Sequence, residues 1–271
     1  MTELLNGSGL ENLQAGTILL VLAAGLAAGW VDAVVGGGGL IQLPALLLVP
    51  GIAPVQALAT NKMGSIFGTT TSAVTYYRRA SPDLKTALPM AAIALAGSFA
   101  GAIVATLLPS AVFKPVILAA LVAVALFTAF RPTAGELTRL RHQGRRHYVL
   151  AGAIGLAIGF YDGLIGPGTG SFLIIAMVVF LGYNFLAASA KAKIVNMATN
   201  FGALVFFLPS GHLLWGLGLL LGMANMVGGY LGARTAIGRG ARFVRIVFLV
   251  VVAALIVRLG FDVAMQWVPA A

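Results

Sequence analysis

Two stretches decide the fold: "GWVDAVVGGGGL" at residues 29–40 and "GFYDGLIGPGTG" at residues 159–170. Each ends a long apolar run with an aspartate and then a cluster of glycines. Asp32 and Asp162 align at an offset of 130 residues, and Lys62 and Lys193 align at an offset of 131. The offset changes inside the glycine clusters, where an insertion is readily tolerated.

A third match extends the alignment over most of the chain, because "GSFAGA" at 97–102 corresponds to "GGYLGA" at 228–233. We therefore predict an internal repeat. Its first unit is expected at residues 1–130 and its second at 148–271, joined by a basic linker at 131–147.

Composition places the chain in a membrane. Of its 271 residues 60% are hydrophobic and only 9% are charged, against roughly 25% charged in ordinary soluble domains. Apolar runs of about 20 residues, enough to cross a hydrocarbon core of about 30 Å, recur along the chain. We predict an all-α integral membrane protein with about eight transmembrane helices, at 17–35, 54–77, 86–108, 115–130, 148–165, 186–208, 213–236 and 243–260.

Two further apolar runs, at 38–49 and 170–182, directly follow the glycine clusters. At about 1.5 Å per helical residue, neither is long enough to cross the core upright. We expect both to be broken or re-entrant elements, which are tolerated at membrane depth where they are buried in protein or line water.

The basic residues predict the orientation of the chain. Arg78, Arg79 and Lys85 mark one cytoplasmic loop, the linker is rich in arginine, and Arg239 and Arg242 mark another cytoplasmic loop. Both termini are poor in basic residues and are expected outside, in a multi-pass protein of the plasma (inner) membrane. Each unit then crosses an odd number of times, so the two units have inverted topology, as in many secondary transporters.

Several function classes are disfavoured. The chain has no cysteine, and His142, His147 and His212 are expected at the surface of the linker and of an outer turn. We find no nucleophile and base pair and no ligand spacing for a metal, so no enzyme activity, metal or cofactor is expected. The net charge of +10 is explained by topology and anionic lipid headgroups, so the expected partner is the bilayer and not nucleic acid.

Charged and polar residues nevertheless occur inside the predicted helices. Lys62, Ser65 and Thr69 share one helical face, and Lys193, Asn196 and Asn200 repeat that stripe. A lysine in the membrane is by default a functional candidate. The alternatives are that each lysine reaches the interface, which is more credible for Lys191, or that it pairs with Asp32 or Asp162.

The aspartates and glycines also have two interpretations. Asp32 and Asp162 either carry a proton coupled to transport or organise the glycine loops by accepting backbone N–H groups. The glycine loops either pack closely or, at the start of the following half-helix, present amides to an anion. The pairs Gly97/Gly101 and Gly228/Gly232 are predicted to serve helix packing, although such spacing also permits a homodimer.

These stretches, with "ATNK" at 59–62 and "AKAKIVNMATN" at 190–200, resemble the TauE/SafE family of sulfite exporters, also called the TSUP family of anion transporters. The resemblance covers about residues 17–260. It implies a multi-pass plasma-membrane protein that moves small sulfur-containing or organic anions, usually outwards. The positions that match the family's motifs are Asp32, Gly36, Gly37, Gly38, Gly39, Pro44, Thr60, Asn61, Lys62, Asp162, Gly166, Gly168, Gly170, Lys193, Asn196 and Asn200.

The resulting hypothesis is a secondary transporter that exports sulfite, an organosulfonate or a related organic anion. Alternatives are a passive anion channel or a membrane subunit without transport activity. The expected substrate-binding residues are Lys62, Lys193, Asn61, Thr60, Asn196, Asn200, Gly37, Gly38, Gly39, Gly168, Thr169 and Gly170, with Asp32 and Asp162 in coupling or loop organisation.

Overall fold

The computed structural model describes residues 8–9, 14–107 and 137–267, and all regular structure in these ranges is helical. The first half contains α1 (Ala15–Val35), α2 (Gly39–Leu47), α3 (Pro54–Ala80) and α4 (Leu84–Ala105). The second half contains α5 (Gly144–Leu164), α6 (Thr169–Ala176) with a π-helical turn (Met177–Leu181), α7 (Phe185–Phe207) and α8 (Trp215–Trp267). The helix predicted at 115–130 and the predicted unit boundary at 130 lie outside the described residues.

Helix length and composition confirm a multi-pass membrane protein. Within the described ranges, α1, α4, α5 and residues 215–251 of α8 are long and apolar enough to cross a bilayer. Helices α3 and α7, at 27 and 23 residues, are also long enough but carry the buried lysines. α2 has nine residues, or about 14 Å of helix, and therefore cannot span the core.

The last helix is broken at Gly240, whose φ of 75° and ψ of −173° are not helical. Val251, eleven residues later, lies beside Gly37 next to the centre of the protein. The break thus separates a segment at 215–239 from a segment at 241–267, as the arginines around residue 240 predicted.

Helix packing has the same pattern in both halves. α1 packs on α8 as α5 packs on α4, and α3 packs on α8 as α7 packs on α4. Each of these four pairs joins a helix of one half to a helix of the other, so the two halves are held together by equivalent contacts.

Individual glycines confirm the predicted alignment. A Cβ atom at Gly97 of α4 would overlap the backbone of Leu156 and Phe160 on α5. Its equivalent, Gly228 of α8, faces Leu26 and Trp30 of α1 in the same way. Because these partners are themselves 130 residues apart, the small residues serve close packing between the halves, as the sequence predicted.

The two halves run in opposite senses. The loop between α3 and α4 contacts α7, where Lys191 Nζ donates to the backbone carbonyl of Asp83. The equivalent loop between α7 and α8 contacts α3 at the other end of the bundle, where the Leu214 N–H donates to Thr60 Oγ1. We call the end with Arg78, Arg79 and Lys85 the basic end, and the end with Leu214 the opposite end.

Candidate functional site

Two glycine turns meet at the centre of the protein. Gly36 ends α1 with a φ of 80°, and Gly166 follows α5 with a φ of 88°, a left-handed conformation that other residues adopt only with strain. The turn after α1 touches the start of α6, because Ser171 donates its N–H to Gly36 O at 3.2 Å and its hydroxyl to Val35 O at 2.8 Å. A Cβ at Gly36 would overlap the backbone of Gly170. Glycine is therefore required here both for the turn and for the close approach of the halves.

Each buried lysine pairs with the aspartate of the other half. Lys62 Nζ lies 2.7 Å from Asp162 Oδ1, and Lys193 Nζ lies 2.8 Å from Asp32 Oδ2. Lys193 also donates to the backbone carbonyl of Asp32. All four side chains are buried, with Lys62 and Lys193 at most 1% exposed. We call these two contacts the crossed pairs.

The crossed pairs give both aspartate carboxylates a lysine partner, which was one of the alternatives for the lysines. In the described part of the chain, the hydrogen-bond partners of both carboxylates are lysine ammonium groups and not loop amides. The turn after α1 is closed by backbone instead, since Gly36 donates its N–H to Asp32 O at 2.8 Å. Among the described residues the two carboxylates therefore contact lysine ammonium groups, and their role in coupling or in loop organisation stays a prediction.

A small cavity lies between the two glycine turns and the stripes on α3 and α7. Its volume is about 20 Å³, slightly more than the roughly 10–15 Å³ that one water molecule requires. An organic anion would therefore fit only if the lining residues separate. The lining consists of Asp32, Gly36, Gly39, Asn61, Lys62, Ser65, Asp162, Gly166, Gly168, Thr169, Gly170, Asn196 and Asn200.

Both halves of the repeat contribute equivalent residues to the lining of the cavity. Ser65 of α3 and Asn196 of α7 are equivalent at the offset of 131, and both reach the cavity. α2 and α6 both begin at the cavity, through Gly39 and Thr169. Helix N-termini favour negative charge through their amides and dipoles, so this geometry suits an anion.

Two buried acceptor oxygens at the cavity lack a hydrogen-bond partner among the described residues, Asp162 Oδ2 and Asn61 Oδ1. An acceptor without a donor costs free energy in a buried site. Asp162 therefore holds Lys62 with one oxygen and leaves the other available to a proton or to a donor group of a ligand.

The structure brings most of the predicted substrate-binding residues together but separates four of them. Gly37 packs near Val31 and Val251, and Gly38 packs against α1. Thr60 faces Leu214 at the opposite end, and Lys193 lies behind Asp32 and does not line the cavity. Substrate binding by the remaining residues stays a prediction.

Some polar residues near the site were missed by the sequence analysis. Gln42 of α2 is fully buried, donates to Asn61 O at 3.1 Å and accepts from Asn225 Nδ2 of α8. The polar Gln42 inside the apolar run "LIQLPALLL" was the sequence feature that could have indicated this buried residue.

His147 was expected at the surface but is 5% exposed. It is buried because α5 begins at Gly144 and places the histidine side chain against Thr86 and Tyr183.

Comparison with known proteins identifies one family. The family profile for the sulfite exporter TauE/SafE matches residues 21–259. The chain belongs to the sulfite exporter TauE/SafE family.

Relatives in this family are named as transporters. A probable membrane transporter protein ORF9 of Sinorhizobium sp is 37% identical over 253 residues, covering 93% of this chain and 96% of the relative. The probable membrane transporter protein YfcA of Escherichia coli (strain K12) is 31% identical, covering 87% and 86%. A probable membrane transporter protein of Haemophilus influenzae is 32% identical, covering 84% and 88%. No solved structure gave a significant match.

Proposed function

We propose that this TauE/SafE member is a secondary transporter that exports a small anion, with sulfite and organosulfonates as the first candidates. The observation that carries the proposal is the pair of crossed contacts, Lys62–Asp162 and Lys193–Asp32, at the interface of two inverted halves. Inverted-repeat transporters bind substrate near the midplane at such an interface, where broken helices end.

The proposed binding step is an exchange of partners. An oxyanion entering the cavity takes the place of Asp162 on the Lys62 ammonium, and the helix N-termini at Gly39 and Thr169 stabilise its remaining oxygens. Asn196 and Asn200 supply neutral donors from the other wall. Because the cavity now holds about 20 Å³, the exchange requires the halves to move apart, which links binding to the conformational change.

Charge balance supports a proton as the coupled ion. The two lysines and two aspartates of the crossed pairs have no net charge together. A monovalent anion alone, such as hydrogen sulfite or a sulfonate, would leave one uncompensated negative charge in a buried site, which is strongly unfavourable. A proton on Asp162, whose Oδ2 has no partner among the described residues, restores neutrality, so we propose that the anion and a proton move together.

The experiment is anion flux from proteoliposomes loaded with sulfite, sulfoacetate, thiosulfate, sulfate, acetate or phosphate, with a pH-sensitive dye inside. The expected result is efflux of one sulfur oxyanion with proton movement, lost in Lys62→Met and retained in Lys85→Met, whose lysine is exposed in the first turn of α4. Voltage-driven current without proton movement would favour the passive channel. Absence of flux for every anion would contradict the proposed substrate class.

A further inference from the structure

The repeat places equivalent contacts at the two ends of the protein. Lys191 and Thr60 are equivalent at the offset of 131, and so are their partners Asp83 and Leu214. At the basic end, Lys191 Nζ donates to the backbone carbonyl of Asp83 and lies 3.5 Å from Asp83 Oδ2. At the opposite end, the Leu214 N–H donates to Thr60 Oγ1 at 3.3 Å. Equivalent positions of the repeat therefore form a contact at each end, a charged one at the basic end and a neutral hydrogen bond at the opposite end.

Each contact lies between the cavity and one end of the protein. Lys191 is five residues before the cavity-lining Asn196 on α7, and Thr60 is five residues before the cavity-lining Ser65 on α3, about 7.5 Å along each helix. Each contact also joins the two halves, because it links a helix of one half to the loop between the last two described helices of the other. If the halves move apart at one end, the contact at that end therefore separates.

The basic end is held by additional groups. Lys191 is 2% exposed and lies over the Tyr183 ring, with Nζ 4.7 Å from the ring centroid. Thr86 Oγ1 lies 3.1 Å from both His147 Nε2 and Tyr183 Oη, and those two atoms are 3.3 Å apart. This polar cluster joins α4 to α5 and to the turn before α7. The basic end is therefore closed by charged and polar links, whereas the equivalent position opposite is held, among the described residues, by the neutral Thr60–Leu214 hydrogen bond.

We propose that the Lys191–Asp83 contact and the Thr60–Leu214 contact are the two gates of the cavity, opened alternately. The assignment rests on the proposed transport function, since gates have meaning only if the cavity is reached from both sides. In an alternating-access cycle, breaking the Lys191–Asp83 contact opens the cavity at the basic end while the Thr60–Leu214 contact holds the opposite end closed. In the reverse step the Lys191–Asp83 contact forms again and the Thr60–Leu214 contact breaks.

The chain has no cysteine, so one introduced cysteine reports access to the cavity without further engineering. Ser65→Cys places a thiol on the cavity wall. Its rate of reaction with a membrane-impermeant thiol reagent is measured in right-side-out and in inside-out vesicles without substrate. Two controls, Lys85→Cys in the first turn of α4 and Ser210→Cys in the loop between α7 and α8, establish which end each vesicle type exposes.

In the Ser65→Cys background, Lys191→Met is expected to raise the modification rate from the basic end about fivefold, equivalent to about 1 kcal/mol in the opening equilibrium. The rate from the opposite end should fall or stay constant. Asp83→Asn, at a loop side chain that is 51% exposed, should act in the same direction to a smaller extent, and Thr60→Val should raise the rate from the opposite end. Lys85→Met, two residues after Asp83 in the first turn of α4, should change neither rate.

The gate assignment is overturned if Lys191→Met and Asp83→Asn leave both rates unchanged. It is equally overturned if they raise both rates alike, since that indicates a loosened fold. Because access is measured without an anion, the outcome is separate from the proposed function. If the variants shift access but no anion is transported, the gate assignment holds and the proposed anion substrate is wrong. If an anion is transported but the variants do not shift access, the proposed substrate holds and the gate assignment is wrong.

Discussion

Lys62 of the first half and Asp162 of the second form a buried ion pair of 2.7 Å, and Lys193 and Asp32 form its equivalent at 2.8 Å with the halves exchanged. Every lysine at the centre thus depends on an aspartate that the other half supplies. Both the stability of the bundle and the proposed binding step follow from this exchange.

The first prediction concerns stability. Lys62→Met leaves Asp162 buried without its partner and is expected to lower the free energy of unfolding by about 3–5 kcal/mol. The double variant Lys62→Met with Asp162→Asn removes both charges and should recover much of that loss. Thermal unfolding in detergent measures both, and additive losses in the double variant would show that the pair has no energetic coupling.

The second prediction concerns competition within the site. Asp162→Asn removes the carboxylate that the anion displaces from Lys62, so anion affinity should rise by about tenfold, or 1.4 kcal/mol. Proton movement accompanying transport should be lost, because the amide cannot take up a proton. Isothermal titration at two pH values and the dye assay measure the two effects. Unchanged affinity together with retained proton movement would place coupling elsewhere.

The third prediction concerns close packing of the halves. A Cβ at Gly97 or Gly228 would overlap the backbone of the facing helix, so Gly97→Val and Gly228→Val should each lower the free energy of unfolding by about 1–3 kcal/mol or more. Gly16, near the start of α1, has nothing within 4 Å of its Cβ position. Gly16→Ala is the matched control and should be neutral or slightly stabilising. Equal effects at all three positions would contradict the packing role.

The fourth prediction concerns pH at the basic end. Partial burial opposes the charged form of Asp83, but the Lys85 N–H and the Lys191 ammonium favour it, so the pKa of Asp83 lies below its ordinary value of 3.8. Since the folded-state pKa is lowered, the contribution of this pair to stability is present above that ordinary value and is lost as the pH falls through the folded pKa.

Access from the basic end should therefore be constant between about pH 5 and pH 8 and should rise only below about pH 4. Modification of Ser65→Cys across this range measures it, with Asp83→Asn as the variant that lacks the acidic step. A rise in access near neutral pH that is absent in Asp83→Asn would contradict the lowered pKa.

The internal repeat could be predicted from the sequence. Offsets of 130 and 131 correctly pair Gly97 with Gly228 and their partner positions 156 with 26, because small residues that pack backbone to backbone leave a strict pattern. The short helices α2 and α6 were also predicted, since an apolar run below about 20 residues cannot cross the core.

The partners of the buried lysines and aspartates could not be predicted from the sequence. Lys193 and Asp32 are 161 residues apart, and the sequence offered either aspartate, the lipid interface or the substrate as partners. Which one forms depends on how the inverted halves exchange contacts, a long-range arrangement with no local signal. For the same reason Thr60, adjacent to Asn61 in sequence, was predicted at the site although it faces Leu214.

The central claim is that an anion takes the place of Asp162 on Lys62. The most direct measurement is thermal stabilisation of the purified protein by a panel of small anions, in the wild type, Lys62→Met and Lys85→Met, because a ligand that binds the native state raises stability by mass action. We expect stabilisation by one sulfur oxyanion that is retained in Lys85→Met and lost in Lys62→Met. Stabilisation of equal size in Lys62→Met would contradict it.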